Sequence, residues 1–456
     1  MERKSVMKKI VTLILLMSMV VSMVGCGQEQ TPAATENAAV AETTASVQTE
    51  DQQDQEVTAE TGNQLYYHDY KVTNPMQYPD YSFDHEPTTD ELRQMAVKAM
   101  RDMLTIEWCT PHFLMYNKTG AASGKTYTHA PGVTYAGLPY TNGDSAIWNW
   151  FDYYNTETGV LEFPGDGYAL NSELGNTCTG SIMWGWSVVC DSLDGNYNNF
   201  EMTKMHGCIP LGDIQYPDWV DTFADYSTAL IIDENGDDVI LEAYALCLPA
   251  DGVASHPQDH GMMIIEPAHV VRNEDGSINA DESYLIIQDQ RGGAGDAAYT
   301  HEVNGEKQYF SGRTYAKFTF QQLLDQDYIP VTTAEFIGEK PYNPRNVTIT
   351  TTSGEECKNL TDMMTATLDS NYPMCILRAV LVDADGNETQ VAVKYLDKKD
   401  VRKGTARKYQ MSNFSDVLDS RILGEHLAAG ETYTLRLDVT VSTGEIMTPV
   451  SFTVTG

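Results

Sequence analysis

The run Gly175-Asn-Thr-Cys178-Thr-Gly180-Ser-Ile-Met-Trp184-Gly-Trp186 sets a cysteine among small residues just ahead of an apolar stretch. The pattern predicts a helix from Cys178 to about Cys190, with the thiol in its first turn. There the exposed N–H groups and the helix dipole stabilise a thiolate. Small neighbours let a carbonyl group come close. A buried structural cysteine is the plainer reading of such a residue, so context has to decide. A reactive thiol needs a base, and the base needs an orienting group. Downstream, His260-Gly-Met-Met-Ile-Ile265 opens a strand on a histidine. One strand further, Tyr284-Leu-Ile-Ile-Gln288-Asp-Gln290 ends an apolar run on polar residues.

A helix-borne cysteine, then a histidine and a polar residue on neighbouring strands, is the papain-like order. At this point the chain resembles the NlpC-type cysteine peptidases, papain-like hydrolases of bacterial cell-wall peptides. In that family the nucleophile lies in Asp-Cys-Ser-Gly followed by apolar and aromatic residues. This chain has Thr177-Cys178-Thr179-Gly180, keeping Cys and Gly. The family's Gly-x-Pro-Tyr matches Gly137-Leu-Pro-Tyr140, His260 matches its strand-opening His, and Gln288 matches its third polar residue. The resemblance covers about 120–335, with longer gaps on either side of Cys178 than the family has.

The resemblance implies a thiol hydrolase acting on peptide bonds of peptidoglycan stem peptides. Cys178 attacks the carbonyl, His260 moves the proton, and Gln288 fixes the imidazole. Tyr140 and the Cys178 N–H hold the oxyanion. Two other readings stand beside it: a non-catalytic cell-surface binding or adhesion lipoprotein, and an amidase or acyltransferase on the same fold. No cofactor or metal is expected. His206-Gly-Cys208 lacks a second ligand pair at zinc spacing. His256, four residues before His260, is the second candidate base. The acidic turns at 233–238 and 383–388 lack the bidentate Glu of a calcium loop and read as hairpin turns. The aromatic cluster Trp148, Trp150, Phe151, Tyr153 and Tyr154 either lines a groove or packs in a core.

Around this centre the expected fold class is α+β. Thr88 and Glu91 form a capping box for an amphipathic helix over 89–108, and Leu92, Met95, Ala96, Ala99, Met100, Met103 and Leu104 recur at helical spacing. Strand-like runs follow at 228–232, 239–248, 261–272 and 284–290, then a short helix at Phe320–Leu324. Helices followed by antiparallel strands argue an α+β domain, and the resemblance implies that residues 65–340 are a papain-like catalytic domain with an N-terminal helical extension. After Pro344, alternating runs at 346–352, 361–367, 376–383, 389–395, 432–441 and 447–455 predict an all-β, immunoglobulin-like sandwich over 345–456. Its binding partner is not legible.

The 456 residues carry 29 Lys and Arg against 65 Asp and Glu, a formal charge of −36. Phosphate-backbone binding needs clustered basic residues, so nucleic acid is excluded as a partner. Hydrophobic residues at 42% are too many for a disordered chain. The N-terminus sets the address. Arg3, Lys4, Lys8 and Lys9 precede an apolar run from Ile10 to Val24, a secretory pattern ending at Gly25-Cys26. That ending resembles a bacterial lipoprotein processing site, which implies a signal peptide over 1–25 and a lipid-anchored Cys26 at the outer face of the cytoplasmic membrane. Residues 26–64 are Ala-, Thr-, Gln- and Glu-rich, with eight acidic residues and no Lys or Arg from Gly27 to Gln64, and read as a disordered acidic tether. Seven cysteines remain after lipidation, an odd number for disulfide pairing. Cys26→Ala is expected to release the protein from membranes or leave it unprocessed, as read by fractionation and intact mass; retained attachment with normal processing refutes the anchor.

Overall fold

Thr88 starts the first helix, α1 (Thr89–Thr105), as the spacing predicts. Its hydroxyl accepts from the Glu91 N–H at 3.3 Å, and the Glu91 carboxylate accepts from the Thr88 N–H at 2.8 Å. The helix stops short of 108 because Ile106 turns extended and Glu107–Trp108 pair with Tyr135–Ala136. The Trp108 indole fixes that exit by donating to the Gly137 carbonyl at 3.0 Å. The computed structural model describes most of residues 80–456, together with 72 and 75–77. The main segments outside the described residues are 118–125, 140–149, 163–167, 170–177, 194–206, 212–225, 233–237, 240–244, 248–259 and 291–298, with shorter gaps elsewhere. The expected signal peptide, Cys26 and tether fall outside them as well. No helix among the described residues is long and apolar enough to cross a membrane.

The second helix, α2, runs Cys178–Ser187, and all ten of its residues are buried. It packs between α1 and a six-stranded sheet. Gly185 permits this: a Cβ there would lie 2.8 Å from the Ala96 carbonyl oxygen and 2.8 Å from the Met263 methyl. The sheet comprises β1 (Ile209–Pro210), β2 (Ala245–Cys247), β3 (Gly261–Ile264), β4 (Tyr284–Gln290), β5 (Gly312–Thr319) and β6 (Ile329–Thr332), ordered β5-β4-β3-β2-β6-β1 and antiparallel throughout. Strands over 228–232 and 261–272 come out shorter than expected, and most of 239–248 lies outside the described residues. Tyr226–Ala229 is a 3₁₀ turn, and β3 ends three residues before Pro267, which has no N–H to pair. Met263 lies opposite Gln288, so alternation turns Met263 and Gln288 toward the helices. Met262, Ile264, Leu285 and Ile287 face the other way, onto Phe320, Leu323 and Tyr328.

Past Pro344 lie β7 (Val347–Thr350), β8 (Thr367–Ser370), β9 (Met374–Val382), β10 (Glu388–Tyr395), β11 (Lys408–Gln410), β12 (Thr432–Val441) and β13 (Ile446–Thr455). They form two antiparallel sheets, β7-β8-β11 and β10-β9-β12-β13, around a core that includes Leu368, Leu377, Leu381, Leu435 and Leu437. Within the run 361–367, expected as strand, residues 361–365 are helical. The Asn359 side chain accepts from the Asp362 N–H at 2.9 Å and caps a short helix, Leu360–Thr365. The acidic turn at 383–388 is a hairpin turn, with Asp383 accepting from the N–H groups of Asp385 at 2.9 Å and Asn387 at 2.8 Å. The chain is therefore a mixture of helix and largely antiparallel sheet, broadly α+β.

The C-terminal sheets are docked onto the helical layer. Ile376 points away from its own core and joins Cys375, Val401 and Ala406 in the cluster built on α1 and α2. Arg345 donates to the Val188 carbonyl just past α2 and to Glu445, and Arg407 donates to the Leu193 carbonyl at 2.9 Å. Arg345→Met leaves the buried Val188 carbonyl without this donor, and is expected to lower stability by about 1–3 kcal/mol in urea titration. No measurable loss would show the joint to be energetically idle.

Candidate functional site

Cys178 opens α2 and is 3% exposed. Its thiol is hydrogen-bonded to the imidazole of His260, the residue that leads into β3. His260 Nε2 lies 2.7 Å from Asp289 Oδ2, which leaves Nδ1 for the sulfur. Asp289, on β4, is completely buried. Its carboxylate also accepts from Arg313 of β5, at 2.8 Å from Nε to Oδ1 and 2.6 Å from Nη2 to Oδ2. Sulfur, imidazole, carboxylate and guanidinium thus form one line of contacts across three strands and a helix end.

Burial alone disfavours the imidazolium. The Asp289 hydrogen bond, the Cys178 hydrogen bond and the charges of both override it, raising His260 to about 9. Burial likewise disfavours the Asp289 carboxylate, and the bonds from Arg313 and then His260 override that and hold it well below the usual carboxylate range. At neutral pH the imidazole is a cation, with Nε2–H donating to an ionised Asp289. A cation beside a sulfur favours the thiolate. Three cysteines elsewhere sit in a different setting. Burial pushes Cys109 up to about 12, burial and then the Glu335 charge raise Cys190, and burial raises Cys357. None of the six described cysteine side chains forms a disulfide.

The structure brings together Cys178 and His260 of the residues singled out in the sequence, and it does not bring Gln288 to them. Gln288 faces the helices, where Nε2 donates to the Val97 carbonyl at 3.0 Å. The group that meets the imidazole is the next residue, Asp289. Successive residues of a strand point to opposite faces, so with Gln288 opposite Met263 and turned to the helices, Asp289 is the neighbour on the other side of β4. The signal that could have found Asp289 was present, a carboxylate inside a buried strand, but which neighbour faces the histidine depends on a register the sequence does not print. Tyr140, the expected oxyanion residue, and His256, the second candidate base, lie outside the described residues. So do His206 and Trp148. Among the described residues no group of three His, Cys, Asp or Glu is placed to hold a metal. Trp150 and Tyr154 pack in the core: Trp150 meets Trp108 edge-on at 5.6 Å, and Tyr154 stacks on Trp150 at 5.8 Å.

No protein-family model, curated protein or solved structure gives a significant match to this chain.

The ion-pair line makes a prediction about stability. His260 is raised on folding, so its contribution is complete below about pH 6.5 and disappears as pH climbs through about 9. Asp289 is lowered, so its contribution is complete above about pH 4 and is lost as pH falls through its folded value. Wild-type protein is expected to lose on the order of 2 kcal/mol between pH 6.5 and 9.5 in urea titrations. Asp289→Asn should flatten that slope; equal slopes in both proteins refute the coupling.

Proposed function

We propose that the chain is a papain-like thiol hydrolase of the NlpC type, cleaving peptide bonds of peptidoglycan stem peptides while tethered to the membrane through Cys26. The observation that carries the reading is the contact line from Cys178 through His260 to Asp289. Asp289 takes the role that the resemblance had given to Gln288. The sandwich-like C-terminal sheets are read as an immunoglobulin-like module bolted to the catalytic layer.

In this reaction the Cys178 thiolate attacks the scissile carbonyl carbon. The carbonyl oxygen becomes an oxyanion, held by the N–H of Cys178 at the helix N-terminus and by Tyr140. His260 then gives its Nδ1 proton to the leaving amine as the C–N bond breaks, which leaves a thioester on Cys178. Water attacks the thioester with the now neutral His260 as base, releasing the acid and restoring the thiolate–imidazolium pair. Asp289 keeps Nε2 protonated throughout, so Nδ1 is the nitrogen that exchanges protons. The ten buried residues of α2 fix the sulfur, because the helix cannot rotate without breaking its packing.

Digestion of purified muropeptides, followed by mass spectrometry, tests the activity. The wild-type protein is expected to release peptide fragments and Cys178→Ala none. His260→Ala should lose at least about 10²-fold in kcat/KM. Iodoacetamide at pH 6 should label Cys178 before Cys109, Cys190 or Cys357. Cleavage that survives Cys178→Ala refutes the proposal. A second prediction separates the two neighbouring residues of β4. Asp289→Asn should lower turnover strongly, whereas Gln288→Ala should lower stability by about 1–2 kcal/mol through its lost bond to α1. If Gln288→Ala costs more activity than Asp289→Asn, the roles are reversed.

A further inference from the structure

The pairing of β4 with β5 contains an irregularity that points at the site. Ile287 lies opposite Ala316, whereas Asp289 lies opposite Arg313, so β5 carries one extra residue between these pairs. In an unbroken register Asp289 would face Thr314, and the Arg313 side chain would fall on the opposite face of the sheet. The bulge moves Arg313 onto the face of Asp289 and His260. Bulges of this kind re-aim side chains beside active sites. Gly312 follows from the same geometry. A Cβ there would sit 2.4 Å from the Asp289 carbonyl oxygen, so only glycine lets β5 close on β4 at this point.

Arg313 then engages Asp289 with two donors, Nε at 2.8 Å to Oδ1 and Nη2 at 2.6 Å to Oδ2. Its guanidinium also sits over the Phe318 ring at 5.2 Å, which holds the head in place. The side chain is 21% exposed and the carboxylate it grips is wholly buried. A buried carboxylate bonded only to an imidazole is free to tilt about its Cβ–Cγ bond and is costly to keep charged. The planar fork removes both freedoms, because two parallel bonds fix the carboxylate plane and the guanidinium supplies a permanent counter-charge.

Resting on the thiol-hydrolase reading above, we propose that Arg313 is a positioning residue of the site, presented by the β5 bulge so that its fork fixes the plane and the charge of Asp289 and, through Asp289, the orientation of His260 toward Cys178. Arg313 touches neither the sulfur nor the scissile bond in this scheme. The charged and titratable groups facing Asp289 and its imidazole include Cys178 from α2, His260 from the entry to β3 and Arg313 from β5.

The test is the pH profile of Cys178 alkylation by iodoacetamide in the mature chain, read by mass spectrometry of the Cys178 peptide, so that no substrate need be known. In Arg313→Met the carboxylate loses its counter-charge and takes up a proton in weakly acidic solution. The imidazolium then loses its partner, and the thiolate loses the imidazolium. The acid limb of the profile is expected to move up by at least about one pH unit. Arg313→Lys keeps the charge and loses the fork. Its acid limb should stay within about half a pH unit, while its plateau rate falls about three- to tenfold. A purely structural arginine would change stability and leave both features of the profile alone. An Arg313→Met protein with native circular dichroism and a wild-type profile overturns the proposal. If Arg313→Met does not fold, Arg313→Lys decides, and an unchanged plateau rate overturns it. If wild-type Cys178 shows no selective labelling at pH 6, the hydrolase reading itself falls and takes this role with it. Selective wild-type labelling with unaltered variants removes Arg313 alone.

Discussion

A helix with no exposed residue has to find a packing partner on every side, and α2 is such a helix. It finds α1 across Gly185, the sheet across Met263, and Phe336 against Trp186, whose rings meet at 5.6 Å. The Trp184 indole reaches the Ala99 carbonyl of α1 at 3.4 Å. At its far end, the chain just beyond it is gripped by Arg345 and Arg407 from the C-terminal half. These contacts leave the first residue of α2 with one position, and that residue is Cys178. The position of the sulfur follows from a packing constraint before it follows from any property of sulfur.

The second constraint is electrostatic. Asp289 is a fully buried carboxylate, and a lone buried charge is expensive enough that the group would take up a proton. Arg313 and His260 together prevent this by supplying three hydrogen bonds and two positive charges. The same balance holds the imidazole protonated at neutral pH, and the imidazolium in turn favours a thiolate. Asp289 and His260 are therefore each charged because the other is. Such a chain is sensitive to the loss of any one member, which is why the variants discussed above separate geometry from charge.

The C-terminal sheets have a core of their own but are not an independent appendage. Within β9, Leu377 and Leu381 point into the space between the sheets while Ile376 points into the core of the helical layer. The hairpin joining β12 to β13 turns at Gly444, whose α-carbon side lies against Phe151 and Trp184, and φ there is +83°. A side chain at that position would be strained in a left-handed backbone. The end of the helix that carries the thiol is thus partly built from residues more than 150 positions later in the chain.

Local chemistry was legible in the sequence wherever it acts over a few residues. The Thr88–Glu91 cap, the apolar stripe of α1, the cysteine at the start of α2, the histidine ahead of β3 and the hairpin turn at Asp383 all depend on spacings within one or two turns of chain. Where a helix competes with a strand, as at Leu360–Thr365 or at Glu107–Trp108, the decision came from a cap or a distant pairing partner. The strand register was not legible at all. One residue of slip exchanges the two faces of a strand, and so exchanges Gln288 for Asp289 beside His260. The β5 bulge that brings Arg313 to Asp289 is a still finer instance, because it depends on how two strands far apart in sequence lock together. The sequence by itself determined most of the local elements and set Cys178 and His260 apart. Only the tertiary structure decided which carboxylate and which guanidinium stand behind them, because side-chain facing in a sheet is fixed by pairing between strands and not by either strand alone.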